Sequence, residues 1–399
     1  MGSSPKFLAA IVGSFLSLVT IDVNSVQAGS FTFTSIVNSR DNQDFFDIRP
    51  IDAINDNGTV AFTAASPSPG SIFTSNGGAI TTAVYPFPVY SYNIFGLTIN
   101  NSGKVAFANL SSYPPEGLFI GNGENVTTVV TRSDGLFVTS LSPGAFNDSG
   151  TLAFGLLKDF GNSGSIATGN GGFLTTVADT SGIFNFFNQP PVINDANVVA
   201  FQANLKDGRT GVFTIKDGSV TTIADNTNPS FDGFGEVGLN NGGTVVFTAA
   251  LGGGVDGLFT GDGETITAIA DTNGPFSQLF RPAINDNNEV VFGAILNGGS
   301  QNGLADGIFT GPDPVADKVI GVGDSLLGGT VTNVFSSGSL NNSGQISFYA
   351  ELIDDSGKPI NGIFRADPVL KSIPESSSTL GLLALSTLGI SVALRGKHY

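Results

Sequence analysis

Residues Ile54 to Phe62 read INDNGTVAF, and the phrase returns six more times: Ile99 to Phe107 (INNSGKVAF), Phe146 to Phe154 (FNDSGTLAF), Ile193 to Phe201 (INDANVVAF), Leu239 to Phe247 (LNNGGTVVF), Ile284 to Phe292 (INDNNEVVF) and Leu340 to Phe348 (LNNSGQISF). Each copy opens on an apolar residue, continues with asparagine and closes on phenylalanine. From Asn55 through Asn100, Asn147, Asn194, Asn240, Asn285 and Asn341 the period is about 46 residues until a longer last step. A period of roughly 40–50 residues belongs to four-stranded propeller blades.

The phrase reads physically as a hairpin. Asn and Asp side chains bond their own backbone and start turns. The fifth position is Gly58, Gly103, Gly150, Gly243 or Gly344, or else Asn197 or Asn288, the residue types that best tolerate positive φ. The run that follows, such as Thr59-Val60-Ala61-Phe62, puts Val and Phe on one face and a small residue on the other. Both faces are apolar, so the strand is expected to be covered on both sides by neighbouring blades, small residues making room for the next blade's Phe.

Two more phrases complete each unit. A Gly-[Ile/Leu/Val]-Phe strand recurs at Ile72-Phe73, Gly117–Phe119, Gly211–Phe213, Gly257–Phe259, Gly307–Phe309 and Gly362–Phe364, with a weaker copy at Ser165-Ile166-Ala167. After it comes a β-branched strand: Ile80–Thr82, Val126–Val130, Leu174–Ala178, Val220–Ala224, Ile266–Ala270 and Val319–Val322, four of them closing on Asp179, Asp225, Asp271 and Asp324. With the apolar segment entering each Asn, every repeat supplies four strands. The expectation is an all-β, seven-bladed propeller over residues 29–369. The outer strand occurs only six times inside the array, and Phe33-Thr34-Ser35-Ile36-Val37-Asn38 aligns with Ile266-Thr267-Ala268-Ile269-Ala270-Asp271. The N-terminal strand is therefore expected to pair with Gly362–Arg365 and close the last blade, with Phe33 opposite Phe364, because an open ring exposes a strand edge.

Composition narrows the chemistry. The chain has 54 Gly, 33 Phe, no Cys, no Trp and one His in 399 residues, a formal charge of −17, and only 12% charged residues. That charge disfavours nucleic-acid binding and anionic lipid surfaces. Without cysteine there is no disulfide, thiolate nucleophile or Cys-ligated zinc, and nothing in the sequence calls for a cofactor.

Both ends read as addresses. Lys6, the apolar run Phe7–Ile21 and Val26-Gln27-Ala28 have the order of a signal peptide, residues 1–28. Residues 370–399 hold Pro374-Glu375, an apolar stretch from Thr379 to Leu394, then Arg395 and Lys397. With Ser376–Ser378 that stretch approaches the ~20 residues of a membrane-crossing helix, its cations placed to stay cytoplasmic. The tail resembles the PEP-CTERM sorting signals of exopolysaccharide-producing bacteria, with Ser376 where a second proline is usual. The seven phrases together with this tail resemble the bacterial tandem-repeat, choice-of-anchor surface proteins over nearly the whole mature chain. The resemblance implies export, an exosortase-type transpeptidase acting at Pro374-Glu375, loss of the tail after about Glu375, and a cell-surface or matrix location. It carries over no catalytic residues. Membrane contact is expected only through the C-terminal helix before processing, and exopolysaccharide or a surface protein is the expected partner.

Candidate chemistry is sparse. Gly323-Asp324-Ser325-Leu326 spells a lipase nucleophile box, yet the one histidine, His398, lies in the tail, leaving the serine without a base. Asp324 is read instead as a strand-end residue like Asp179, Asp225 and Asp271. Asp56, Asp148, Asp195 and Asp286, and the loop Asp306–Asp317, invite a calcium reading, but Asn101, Asn241 and Asn342 replace the aspartate in three repeats. The phrase is therefore read as a structural turn (Asn55, Gly58, Asn100, Gly103, Asn147, Gly150, Asn194, Asn240, Gly243, Asn285, Asn341 and Gly344) with no metal. It is also similar to the Asp-box of sialidase propellers, but its aromatic falls one residue later and its Asp is not constant, so no sialidase activity is inferred. Tyr85, Phe87, Tyr90, Tyr92 and Tyr113 are the candidate ligand contacts, since tyrosine joins a flat apolar face to a hydroxyl; alternatively these rings seal a blade edge. The expected function is non-catalytic binding of a glycan or protein partner. The competing reading is a glycan-cleaving enzyme with paired carboxylates on the propeller axis.

Overall fold

In each copy of the phrase the chain turns back on itself at the predicted glycine or asparagine. Gly58, Gly103, Gly150, Asn197, Gly243, Asn288 and Gly344 all have φ between 58° and 88°, the left-handed region where a Cβ is costly. The computed structural model describes residues 30–66, 72–84, 94–109, 116–123, 125–132, 137–138, 141–142, 144–158, 163–299 and 305–369. These residues form seven antiparallel sheets, the blades of a seven-bladed β-propeller. Blade 5 shows the plan: Phe231–Leu239 innermost, then Val245–Leu251, Val255–Gly261 and, outermost, Ile266–Asp271.

The phenylalanines explain the packing. The Phe closing each phrase lies directly across from the Phe of the next strand: Phe62 from Phe73, Phe107 from Phe119, Phe201 from Phe213, Phe247 from Phe259, Phe292 from Phe309 and Phe348 from Phe364. Ring centroids in these pairs are 5.6–6.1 Å apart, the range in which aromatic pairs attract. Blade 3 departs, with Ala167 opposite Phe154. The small residue before each Phe faces the neighbouring blade. Ala61 packs with Phe107 and Phe119, Ala153 with Phe201 and Phe213, Ala200 with Phe247 and Phe259, and Val291 with Phe348 and Phe364. The core is thus seven inter-blade clusters arranged around an axis.

Ring closure follows the N-terminal strand. Phe31–Asn38 pairs antiparallel with Pro359–Pro368, placing Asn38 across from Gly362, Val37 from Ile363 and Ser35 from Phe364. Blade 5 has the same register, with Asp271 across from Gly257, Ala270 from Leu258 and Ala268 from Phe259, and the same bulge. The expected partner of Phe33 is corrected: it lies across from Ala366. Phe33 corresponds to Ile266, which faces Gly261, the counterpart of Ala366; the residue facing the Phe is Ser35, the counterpart of Ala268. Val369 donates its N–H to the Ser30 carbonyl at 2.8 Å. The segments before and after the propeller therefore leave together, at the outer edge of blade 7, on the face where the asparagine turns lie. The 1–28 and 370–399 segments lie outside the described residues.

Cysteines placed at Phe31 and Pro368, which are paired positions in a chain with no native thiol, are expected to crosslink within the folded monomer on oxidation. The crosslink should raise stability by about 2–4 kcal/mol, and deleting residues 30–37 should unfold the whole ring. Monomer crosslinking read by non-reducing gel and denaturant titration checks this; disulfides formed only between molecules would count against closure.

Candidate functional site

The turn asparagines form a ring around the axis. In each blade the asparagine Oδ1 accepts the N–H four residues on, at 2.9–3.1 Å, bracing its own turn. Its Nδ2 then donates to the backbone carbonyl of the next blade's asparagine: Asn55 to Asn100, Asn100 to Asn147, Asn147 to Asn194, Asn194 to Asn240, Asn240 to Asn285, Asn285 to Asn341, and Asn341 back to Asn55. These distances are 2.9–3.2 Å. All seven side chains are buried.

The next residue of each phrase builds a second, more exposed ring. The backbone N–H of Asp56 donates to Asn101 Oδ1, Asn101 to Asp148, Asp148 to Asp195, Asp195 to Asn241, Asn241 to Asp286, Asp286 to Asn342 and Asn342 to Asp56, all at 2.8–2.9 Å. The side-chain amide of each asparagine also bridges the carboxylates on both sides: Asn101 those of Asp56 and Asp148, Asn241 those of Asp195 and Asp286, and Asn342 those of Asp56 and Asp286. An odd ring cannot alternate perfectly, and Asp148–Asp195 is the one place where two carboxylates are neighbours.

Below the rings, Ile54, Ile99, Phe146, Ile193, Leu239, Ile284 and Leu340 narrow the axis. Beyond this collar, on the face away from the chain ends, the axis widens into a cavity of about 340 Å³. Local strand defects shape its wall. The innermost strands of blades 5, 6 and 7 each break register four residues before the asparagine, at Glu236, Arg281 and Ser337. Bulges of this kind re-aim side chains and gather at functional sites. Arg281 adopts φ 52°, a strained conformation for a side chain of its size. Its N–H donates to the Glu236 carboxylate, and its guanidinium lies 4.3 Å from the Phe335 ring centroid. Ser142, Gln189 and Pro190 close the wall from blades 3 and 4. Glu236 is the one acidic residue lining this cavity among the described residues.

A family of unknown function, DUF7453, matches residues 54–369. The chain belongs to that family. No curated protein matches it in sequence. Among solved structures it is similar to YCF48 from Cyanidioschyzon merolae, at 13% identity and TM-score 0.42 over 84% of this chain and 98% of that one. It is also similar to the polysaccharide lyase Uly1, at 9% identity and TM-score 0.44 over 78% and 88% of the two chains. A third is the SapL1 lectin in complex with α-methyl fucoside, at 12% identity and TM-score 0.37 over 66% and 92%.

In this DUF7453 member the candidate ligand contacts Tyr85, Phe87, Tyr90, Tyr92 and Tyr113 lie outside the described residues, as do Pro374, Glu375, Arg395 and Lys397. Asp324 is not the strand-end residue that spacing suggested. Gly321 pairs with Gly307 where Asp271 pairs with Gly257, and Asp324 instead accepts the Gly321 N–H at 2.8 Å and the Lys318 ammonium at 2.7 Å. The strand-end role in blade 7 falls to Asn38, whose Oδ1 accepts the Arg40 N–H at 3.0 Å, as Asp225 accepts Thr227 at 3.0 Å. In the loop Asp306–Asp317, Asp313 accepts the N–H groups of Val315 and Ala316, and Asp317 that of Asp313. Among the described residues no three acidic or imidazole groups converge as metal ligands.

Sequence reasoning passed over Asp52. It sits at the seam between blades 1 and 7, 1% exposed, with the Ser337 and Ser347 hydroxyls donating to its two carboxylate oxygens. Ser347 occupies the position that holds Ala61 or Ala153 at other seams. Ser337 also lines the cavity, so this carboxylate stands one hydroxyl behind the wall. Burial pushes its pKa up to about 6, partly offset by the two hydroxyls and Arg281. The only available signal was an Asp in an apolar innermost strand.

Two stability effects follow. A folded pKa raised above the unfolded value makes ionised Asp52 a cost absent below about pH 4, growing to about pH 6 and constant above, worth roughly 3 kcal/mol. Asp52→Asn is therefore expected to gain about that much relative to the wild type between pH 4 and 7 in urea titrations; a pH-independent difference would refute it. Asn194→Asp keeps the turn-bracing oxygen but sets a buried carboxylate against the Asn240 carbonyl. It should cost about 3–5 kcal/mol at neutral pH and recover part of that on acidification, where the protonated acid donates in the amide's place, measured by the same titration.

Proposed function

We propose that the chain is an exported, cell-surface-sorted propeller that binds a polysaccharide or protein partner of the extracellular matrix without cleaving it. The observation that carries this reading is the axial cavity, a concave site of the size small ligands occupy, roughly 300–1,000 Å³. Its wall combines amide, hydroxyl and guanidinium groups with, among the described residues, a single lining carboxylate, Glu236. General acid–base cleavage of a glycosidic bond needs two carboxyl groups facing across the bond. Asp52, the other acid near this space, is committed to Ser337 and Ser347.

The direction of the chain ends supports display. Ser30 and Val369 lie on the asparagine face, so a tail sorted by an exosortase-type transpeptidase would tether that face and turn the cavity outward. In this reading the membrane is touched only through the C-terminal helix before processing, no cofactor is involved, and the formal charge of −17 keeps nucleic acid away.

The exported protein, probed against an array of matrix polysaccharides and surface-protein extracts, is expected to retain at least one partner, with Gln189→Ala or Ser142→Ala lowering affinity about tenfold. Release of new reducing ends or unsaturated sugars from a retained polysaccharide would replace this reading with the glycan-cleaving one. Retention unaffected by any cavity substitution would move the site elsewhere.

A further inference from the structure

A second concavity shares a wall with the axial cavity. Gln189 and Pro190 line both, and from them a groove of about 190 Å³ runs outward between blades 3 and 4. Its floor is opened by glycine: a Cβ on Gly164 would sit 3.6 Å from the Phe187 ring, in the space the groove occupies. Phe186, 43% exposed, stands at its side, while Phe184 of the same strand is buried among Phe187, Phe201 and Phe213. Among the described residues no ionisable side chain lines the groove. Ser165 and Asn188 supply the polar edge. Gln189, at the junction, lines both spaces and carries a side-chain amide with a donor and an acceptor end.

We propose that the axial cavity and this groove form one continuous site for a neutral oligosaccharide, with one sugar over the axis and the next units crossing Gln189–Pro190 to lie against Phe186. The inference rests on the binding function proposed above and adds the ligand's class and extent. An aromatic ring offers the apolar faces of a sugar a flat partner, and a ligand bearing many hydroxyls satisfies amide and hydroxyl groups without bringing charge. Charge selects neutrality. Among the described residues the groove holds no cation, and a protein of formal charge −17 repels polyanions. The opening from axis to rim calls for an elongated ligand held along its length rather than by its terminal sugar alone.

The test is calorimetric titration of the full-length chain in mild detergent with glucose, mannose and galactose oligosaccharides of one to six units. In at least one series the affinity is expected to rise tenfold or more between two and five units and then level off. Phe186→Ala and the groove-filling Gly164→Leu should each return the pentasaccharide to near the disaccharide's affinity while leaving the disaccharide unchanged. Gln189→Ala should weaken both. Unaltered thermal unfolding of the exposed-site variant Phe186→Ala separates this from misfolding. Affinity independent of length, or a length effect that Phe186→Ala does not touch, overturns the groove while the cavity's binding role stands. Preference for acidic over neutral chains overturns the ligand class alone. Failure of every saccharide while a protein partner is retained overturns the saccharide site and leaves the non-catalytic binding reading intact. Failure of all partners overturns both.

Discussion

The asparagine amide is the constraint on which the ring depends. It is the side chain at this position that does two jobs at once: its oxygen braces a local turn and its nitrogen joins that turn to the next blade. Aspartate keeps the first function and loses the second, and serine has too short a reach for both. Seven such bonds run head to tail in one direction, an arrangement in which each dipole polarises its neighbour and the low local dielectric strengthens the set. Because every bond leads to a backbone carbonyl, the clasp makes no demand on neighbouring side chains beyond the next asparagine. Phe154 can then face Ala167 in place of a second Phe while the blade stays in position.

Closure imposes a different demand, since one seam must be made between strands from opposite ends of the chain. That closure gathers several buried or part-buried polar groups. Asp52 is held by Ser337 and Ser347, Asp367 accepts from Thr34, Arg365 and Gln345, and Arg365 reaches the Gly58 carbonyl of blade 1 at 2.6 Å. Burial alone would raise the Asp367 pKa, but its partners outweigh it and the net shift is downward. Asp52 shifts the other way, because it is fully buried and two hydroxyls do not offset that desolvation. A buried carboxylate that costs stability can still favour one pairing over others. At a seam where a slipped strand would leave Asp52 unpaired, that selectivity opposes misregistered closure.

Much of this architecture was legible because the phrase is governed by local physics. Turn-bracing asparagine, positive φ at the fifth position and a two-sided apolar strand all act within nine residues, and the period then fixes the blade. The N-terminal closure was legible by counting strands, but the residue facing Phe364 is Ser35 and not Phe33, because it is the third residue of the outer strand, Ala268 in blade 5, that meets the Phe across the bulge. The asparagine clasp was not legible at all as a bond. Its partners are 45 to 56 residues apart, and at the seam 286, and only the closed ring brings them together. The Asp–Asn alternation of the outer ring, which in the sequence only argued against a shared calcium site, is complementarity: each asparagine supplies the amide that its flanking carboxylates need. The cavity was illegible for the same reason, since Glu236, Arg281 and Ser337 share a height on the axis only after three strands bulge.

The two axial faces thus come from opposite regimes of one repeat. On the asparagine face the sequence is held nearly constant, because any departure breaks either a turn or a bond to the next blade, and the chain ends leave from that side. Four residues earlier in each innermost strand nothing comparable applies. Among the described residues those positions read Ile51, Gly96, Pro190, Glu236, Arg281 and Ser337, six residues with almost no chemistry in common. A ring whose geometry is secured at one end is free to vary at the other, and variation around a closed circle sets unlike groups facing one another across a small space. Strain collects there as well, in the left-handed backbone of Arg281, and the clasp a few residues further along the same strand is what the fold has available to hold it.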